Sequence, residues 1–325
     1  MILIEQAEYR ESASTTLDFS NEIIPSPETN RRIEAIISGL EGAPGHRRIR
    51  TRDLNWPEMV QFQEVLSATH DSSYLEFLSR PENFGQEEIL QHPFACPRTE
   101  PDSFISAGSW PSALEALKST YLGSREFLGG GRDVYVLCRP PGHHAGFRWM
   151  GGFCYLNNAA FAAVMLNGET RQNIGVLDID FHYGNGVADI VRRHDGLFYA
   201  SLHCDRLSTY PFYVDAADQA SDRIYTVDYR EPPSISRYLD DVRRCLSFLI
   251  ERNGCRHVIV SVGYDTVGND PFGGWHFTPA DFRKIGERIR ASGPASLLLI
   301  QEGGYHFALL PECSRNFVEG LESGG

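Results

Sequence analysis

From about residue 130 onward, short unbroken apolar runs recur, and the stretches between them carry helical patterns. The runs are DVYVLC (133–138), NIGVLDID (173–180), LFYASLH (197–203), HVIVSVG (257–263) and SLLLIQ (296–301). A strand with one face in water alternates apolar and polar residues, so an unbroken run belongs to a strand covered on both faces. Between the runs, NNAAFAAVMLNG starts on asparagine caps and is expected to stop at Gly168. SISRYLDDVRRCLSFLIERNG sets Leu239, Val242, Leu246 and Leu249 on one stripe and ends at Gly254. TPADFRKIGERIRASGP has Thr278 as N-cap, Pro279 in the first turn, Asp281 to close a capping box and Gly293-Pro294 as a stop. This alternation predicts an α/β chain with one parallel sheet and helices on both of its faces.

The first 130 residues are less regular. MILIEQAEYRE carries acidic residues where a signal peptide needs a basic start, so it reads as a first strand. ETNRRIEAIISGL and NWPEMVQFQEVLSATH read as helices. The stretch from Arg80 to Asp102 is rich in Pro, Gln and Glu and reads as a long loop of the functional or mobile kind. The expectation is one domain over residues 1–325 with a loop insertion around 80–102. No segment approaches the ~18 consecutive apolar residues of a membrane span. The seven cysteines have no CxxC spacing, which argues against a disulfide framework or a structural zinc site and for a reducing cytoplasm. A net charge of −13 repels nucleic acid and permits a cationic ligand, although many proteins are acidic for solubility alone.

Ligands of parallel α/β sheets bind beyond the carboxyl ends of the strands. There the sequence places His143-His144, then Asp178, Asp180 and His182, then Asp265 and Asp270, then Tyr305. A lone Asp at such a place is usually a cap and a lone Tyr usually core, but four strand ends delivering these types together point to chemistry. Asp180 and His182, two apart on a strand, would share a face. With Asp265 they form a mixed oxygen and nitrogen set that leaves a fourth position open, the pattern of a catalytic Zn²⁺ site; Fe²⁺ or Co²⁺ fits the same ligands. Asp178 would overload one ion, so it is expected behind the ligands, orienting His143 or holding a monovalent cation. The histidine pair is then free to move protons. Tyr305 follows Gly303-Gly304, a pair flexible enough to let its hydroxyl swing toward a carbonyl oxygen.

In order, RPPGHHAG, GGFCYLNNAA, VLDIDFHYGNG, ASLH, GYDTVGNDPFGG and EGGY resemble the motifs of the arginase/deacetylase superfamily, and in it the zinc-dependent deacetylases: histone deacetylases and acetylpolyamine amidohydrolases. The likeness is strong over about residues 130–322 and weaker in HDSSYLEFL. It implies one α/β domain with a mostly parallel eight-stranded sheet. It implies zinc on Asp180, His182 and Asp265, a tandem pair His143 and His144, and Tyr305 polarising the scissile carbonyl. By the same resemblance Gly152 would offer its carbonyl to the substrate amide, and Phe153 and Tyr210 would flank the acyl channel. Asp178, Ser201 and Leu202, with the backbone of Asp180 and His182, would hold potassium.

The chain departs from the pattern in places. Asn185 stands where some members have a second aspartate behind the histidine pair, and Tyr183 replaces a frequent second histidine. Ala95 stands where many lysine deacetylases have an acidic rim residue. Phe272 stands where a polyamine-specific member has a glutamate. Glu100 and Asp102 are candidate replacement charges. The expected function is removal of an acetyl or other acyl group from a small acylated amine, an acetylpolyamine ahead of an acetyl-lysine protein, with neither nucleic acid nor membrane as partner and a homodimer as a possible assembly. A two-manganese ureohydrolase would need a DxD pair where Asp265 stands alone. A non-catalytic acyl-amine-binding protein is the reading from another class.

Overall fold

The computed structural model describes residues 1–9, 16–19, 22–42, 45–83, 92–97, 99, 102–130, 132–219 and 221–323. In chain order the strands are β1 (Ile2–Glu5), β2 (Thr16–Phe19), β3 (Glu22–Pro25), β4 (Arg47–Arg50), β5 (Val134–Leu137), β6 (Ile174–Asp178), β7 (Leu197–Cys204), β8 (Ile224–Tyr229), β9 (His257–Val262) and β10 (Leu298–Gln301). The helices are α1 (Asn30–Leu40), α2 (Trp56–Thr69), α3 (Ser72–Ser79), α4 (Ser109–Gly130), α5 (Asn158–Thr170), α6 (Asn185–Val191), α7 (Ala216–Gln219), α8 (Ile235–Ser247), α9 (Pro279–Ser292) and α10 (Leu310–Ser323). Eight strands form one sheet in the order β4-β1-β5-β10-β9-β6-β7-β8. Every pairing in it is parallel. β2 and β3 form a separate antiparallel pair.

The two faces of the sheet bury different helices. Leu137, Leu177, Val260 and Leu299 pack against Ile33 and Ile36 of α1, Leu246 of α8, Ile285 of α9 and Phe317 of α10. On the other face Val136, Val176, Ile259 and Ile300 pack against Phe127 of α4, Ala162 of α5 and Val187 of α6. A third cluster joins Phe62 of α2 and Tyr74 of α3 to Tyr121 of α4, Phe161 of α5, and Met150 and Tyr155 of the loop after β5. Each strand in the middle is therefore covered twice, which is why its sequence shows no polar alternation.

The order of the strands makes the site. From β5 the chain crosses to β6, leaving two places that β9 and β10 later fill. The loops leaving β5, β10, β9 and β6 therefore crowd onto one stretch of the carboxyl edge, where strand order reverses.

Helix signals held except at two ends, for α8 gives way after Ser247 to a π-helical turn over Phe248–Arg252 before Gly254, and α5 overruns its glycine. Asn157 caps α5 by accepting from the Ala160 N–H at 2.8 Å. The helix does not stop at Gly168 but runs to Thr170 and closes on Arg171 at φ 56°. One glycine inside a helix costs only about 1 kcal/mol, and the Thr170 hydroxyl bonding back to the Leu166 carbonyl supports the last turn. In α9, Asp281 takes both the N–H and the hydroxyl of Thr278, at 2.9 and 2.8 Å. Of the loop from Arg80 to Asp102, residues 84–91, 98, 100 and 101 lie outside the described residues, Glu100 among them. Among the described residues no helix is long and apolar enough to cross a membrane.

Candidate active site

β6 ends at Asp178, so Asp180 and His182 do not share a strand face as expected. A turn brings them together instead: the Asp180 N–H donates to Asp178 Oδ1 at 3.1 Å, and the His182 N–H to Asp180 Oδ1 at 2.9 Å. Asp265, just past β9, completes the group. One ligand atom from each of the three lies within 4.8 Å of the others. His182 Nδ1 is 3.2 Å from Asp265 Oδ2 and 3.4 Å from Asp180 Oδ1. The outer oxygens are held by backbone, Asp180 Oδ2 by the Gly303 N–H at 2.8 Å and Asp265 Oδ1 by the Phe181 N–H at 3.0 Å. Gly303 is glycine because a Cβ there would lie 2.6 Å from both carboxylates. Close approach, and not swing, is what this position requires.

Charge is concentrated here. Burial opposes a charge on His182, yet the Asp180 and Asp265 carboxylates push it up to about 9. Burial, then the Asp180 charge, pushes Asp265 up to about 7. Asp180 stays below the ordinary carboxylate range despite burial, because His143 and His182 face it. Two carboxylates and an imidazole aimed at one buried point fit a divalent cation in both charge and donor type.

The two histidines have different neighbours. His143 Nδ1 meets Asp178 Oδ2 at 3.1 Å, and its Nε2 lies 3.7 Å from Asp180 Oδ1. Asp178 is fixed in turn by the Tyr199 hydroxyl at 2.9 Å. His144 Nδ1 lies 2.8 Å from Asn185 Oδ1, and the Asn185 amide donates to Tyr213 Oη and Cys96 Sγ, both at 3.3 Å. Asn185 therefore presents its oxygen to His144, so His144 carries its proton on Nδ1 and leaves Nε2 as an acceptor. Burial opposes charge on both rings. Asp180 and Asp178 reverse that for His143 and push it up to about 10. For His144 burial and the neighbouring His143 charge act together and hold it well below the ordinary range. The two rings thus differ in what stands behind them, a carboxylate for His143 and a neutral amide for His144.

Tyr305 is held by its backbone. Its N–H and that of His306 donate to Asp270 Oδ2 at 2.7 and 3.0 Å, and the Phe272 N–H donates to Asp270 Oδ1 at 3.0 Å. Burial pushes the Tyr305 phenol well above its ordinary range, which keeps it a proton donor. Phe153 and Phe272 pack on it with ring centroids 5.7 and 5.3 Å away. Tyr210 packs edge-on against His144 at 4.5 Å. Gly152 has φ 55°, and a Cβ there would lie 2.2 Å from His144 Cδ2. Both oxygens of Asp102 accept from the Gly152 N–H, at 3.1 and 3.0 Å, and Ser103 Oγ accepts from the Phe153 N–H at 2.8 Å. Asp102, expected as a replacement charge, thus has its oxygens on the cleft wall, and burial pushes it up to about 6. Ala95 bridges Met150, two residues before Gly152. Ser201 is the register partner of Asp178, with its hydroxyl 2.8 Å from His203 Nδ1, and Leu202 follows it in β7. Tyr183 turns away from the site and donates to Asp218 at 2.8 Å.

A family model described as the histone deacetylase domain matches residues 26–321. The chain belongs to the histone deacetylase family. It is a hydrolase of the deacetylase type, with homologues named for amide hydrolysis. The acetylpolyamine amidohydrolase of Mycoplana ramosa is 31% identical over 96% of this chain and 95% of its own. Histone deacetylase 8 of Arabidopsis thaliana is 30% identical over 91% of this chain and 78% of its own. The crystal structure of the acetylpolyamine aminohydrolase from Burkholderia pseudomallei superposes with a TM-score of 0.86 at 24% identity, covering 100% of this chain and 99% of that one, which shows the shared fold.

Some residues of this deacetylase site escaped the sequence reading. Glu302 Oε2 accepts from the Gly142 and His143 N–H groups at 2.7 and 3.1 Å and so seats the histidine pair. Its signal was a glutamate closing an apolar strand, a place where an unpaired carboxylate is rare. Tyr199 and Ser103 gave no local signal.

Proposed function

We propose that the chain is a zinc-dependent amidohydrolase that removes the acetyl group from a small primary amine, an acetylpolyamine ahead of an acetyl-lysine peptide. The observation that carries this reading is the convergence of Asp180, His182 and Asp265 beside two histidines, His143 backed by Asp178 and His144 backed by Asn185. Asp180, His182 and Asp265 would hold the ion, and Fe²⁺ or Co²⁺ suits the same donors. When bound, the ion supplies Lewis-acid polarisation of the scissile carbonyl and acidifies water.

The chain's own residues do the rest. Nε2 of His144 accepts a proton from the attacking water and returns it to the departing amine. His143, backed by Asp178 at 3.1 Å, stands beside His144 and shares in handling the protons. The Tyr305 hydroxyl donates to the oxygen on which negative charge develops. The Gly152 carbonyl accepts from the substrate amide N–H, and Phe153, Tyr210 and Phe272 exclude water around the acyl chain. Asp178, Ser201 and Leu202 offer the hard oxygen donors that a potassium ion takes.

The polyamine preference is supported by the name and coverage of the Mycoplana ramosa relative, by the charge of −13, and by Ala95. A single catalytic domain is supported by β1 and β10 flanking β5 in one sheet. A reducing cytoplasmic setting is supported by seven free cysteines. The test is kcat/KM for acetylputrescine, acetylcadaverine, acetylspermidine and an acetyl-lysine peptide, using zinc-loaded protein. The acetylated polyamines are expected to lead. A higher value for the peptide would move the assignment to lysine deacetylation, and inertness toward all four with metal bound would favour the non-catalytic reading.

A further inference from the structure

Two phenylalanines have left-handed backbones, Phe153 at φ 66° and Phe212 at φ 62°. A bulky side chain in that region is an outlier that glycine would occupy without strain. For Phe153 the surroundings explain it. Ser103 holds its N–H, and its ring is packed between Tyr305 and Phe272. Phe212 has no such explanation within the fold. Its side chain is 60% exposed, so it combines backbone strain with little burial. The turn uses only its N–H, which donates to the Thr209 carbonyl at 2.8 Å and which glycine would supply equally. Strain of this kind is found where a function requires it.

The position of Phe212 indicates that function. His144, at the floor of the cleft, is 4% exposed. Tyr210 stands on it at 4.5 Å between ring centroids, and Phe212 stands edge-on to Tyr210 at 6.3 Å. These rings form a path from the reacting centre to solvent. Leu207, on the same loop, is 63% exposed. The nearby carboxylates are engaged elsewhere. Asp205 Oδ1 accepts from the Leu207 N–H at 3.4 Å, Asp215 Oδ1 from the Ala217 N–H at 3.0 Å, and Asp215 Oδ2 lies 3.7 Å from Arg192. The loop therefore offers a molecule leaving the cleft apolar surface ahead of a counter-charge.

We propose that Phe212 is a specificity-determining residue whose ring, at the mouth of the cleft, packs against the methylene chain of the acylated amine beyond the channel. This rests on the amidohydrolase reading. Contact with an apolar chain lowers the transition-state barrier for long amines and does nothing for amines too short to emerge. The enzyme would then select its substrate partly by chain length.

The experiment compares zinc-loaded wild type with Phe212→Gly, Phe212→Asn and Phe212→Trp. Two substrate pairs are used, N-acetyloctylamine against N-acetylpropylamine and N-acetylspermine against N-acetylputrescine. Glycine and asparagine both tolerate the left-handed backbone, so both variants are expected to fold with a Tm at or above wild type. In each of them the ratio of kcat/KM, long over short, is expected to fall about ten-fold in both pairs, the effect of losing contact with one or two methylenes. Phe212→Trp should keep the ratio. A ratio unchanged in both small variants overturns the proposal while leaving the amidohydrolase reading intact. A fall confined to the polyamine pair also overturns it, because the ring would then be sensing charge. If wild type hydrolyses none of the four substrates, the amidohydrolase reading fails and takes this inference with it.

Discussion

Tyr305 gains its place from neighbours that never touch its hydroxyl. Asp270 grips the N–H groups of Tyr305 and His306, and Phe153 and Phe272 pack on its ring. Removing the hydroxyl should therefore leave ring, loop and the Asp180–His182–Asp265 group in place. Tyr305→Phe is expected to bind metal as wild type does and to lose about 10²–10³ in kcat, the usual effect of deleting one donor to a developing oxyanion. Parallel metal analysis and turnover measurements check this, and near-normal turnover would remove Tyr305 from the chemistry. The same separation of holding from acting recurs at His144. Asn185 fixes its Nδ1 side, so Nε2, the nitrogen proposed to move the proton, is oriented by a residue with no proposed part in the transfer.

At the scale of elements, what could be read from sequence depended on where burial leaves a local trace. β5, β6, β7, β9 and β10 lie under helices on both faces, and their unbroken apolar runs record it. β4 is RRIR on the sheet edge, mostly exposed, and is a strand only because β1 pairs with it; its arginines leave no apolar signal and discourage further pairing. β8, at the other edge, is half-buried along most of its length and was equally silent. In the site, the candidate metal ligands, the histidine pair and Tyr305 stood out because each sits just past a strand. Their supports did not, because the Glu302 bond to Gly142 spans 160 residues and the Asp102 bond to Gly152 spans 50, and no periodicity encodes such pairings. The Asp102 bond gives the long loop a mechanical role. It holds the Gly152–Phe153 turn, which forms one wall of the cleft. Asp102→Ala is expected to lower kcat/KM about ten-fold through misplacement of that wall, with metal content unchanged, whereas Asp102→Asn, which keeps an acceptor oxygen, should recover much of the loss. Equal losses in the two variants would show that charge at position 102, and not the hydrogen bond, is what matters.

At the scale of the molecule, the layer built from α2 and α3 is fastened to the catalytic loop through a buried histidine. His70 closes α2. Its Nδ1 lies 2.9 Å from the Gly146 carbonyl, and its Nε2 accepts from the Asn157 N–H at 3.0 Å. Since Nε2 must accept, Nδ1 carries the proton and the ring is neutral. Burial, the largest influence, lowers its pKa to about 4 against an ordinary 6.5. The unfolded chain therefore takes up this proton before the folded one does. The stability that His70 contributes is fully present above pH 6.5 and is lost progressively as pH falls toward 4. A shift of this size corresponds to about 3 kcal/mol over that window. Glutamine in its place cannot titrate. His70→Gln should thus be less stable than wild type at neutral pH, with the gap narrowing by about 2 kcal/mol between pH 7 and pH 4.5. Urea unfolding of both proteins at the two pH values measures the gap directly, and acid effects on the carboxylates and bound metal cancel because both proteins share them. A gap that stays constant would mean that folded His70 takes up a proton as readily as the unfolded chain does, and the neutral bridge between the α2–α3 layer and the loop behind His143 and His144 would have to be abandoned.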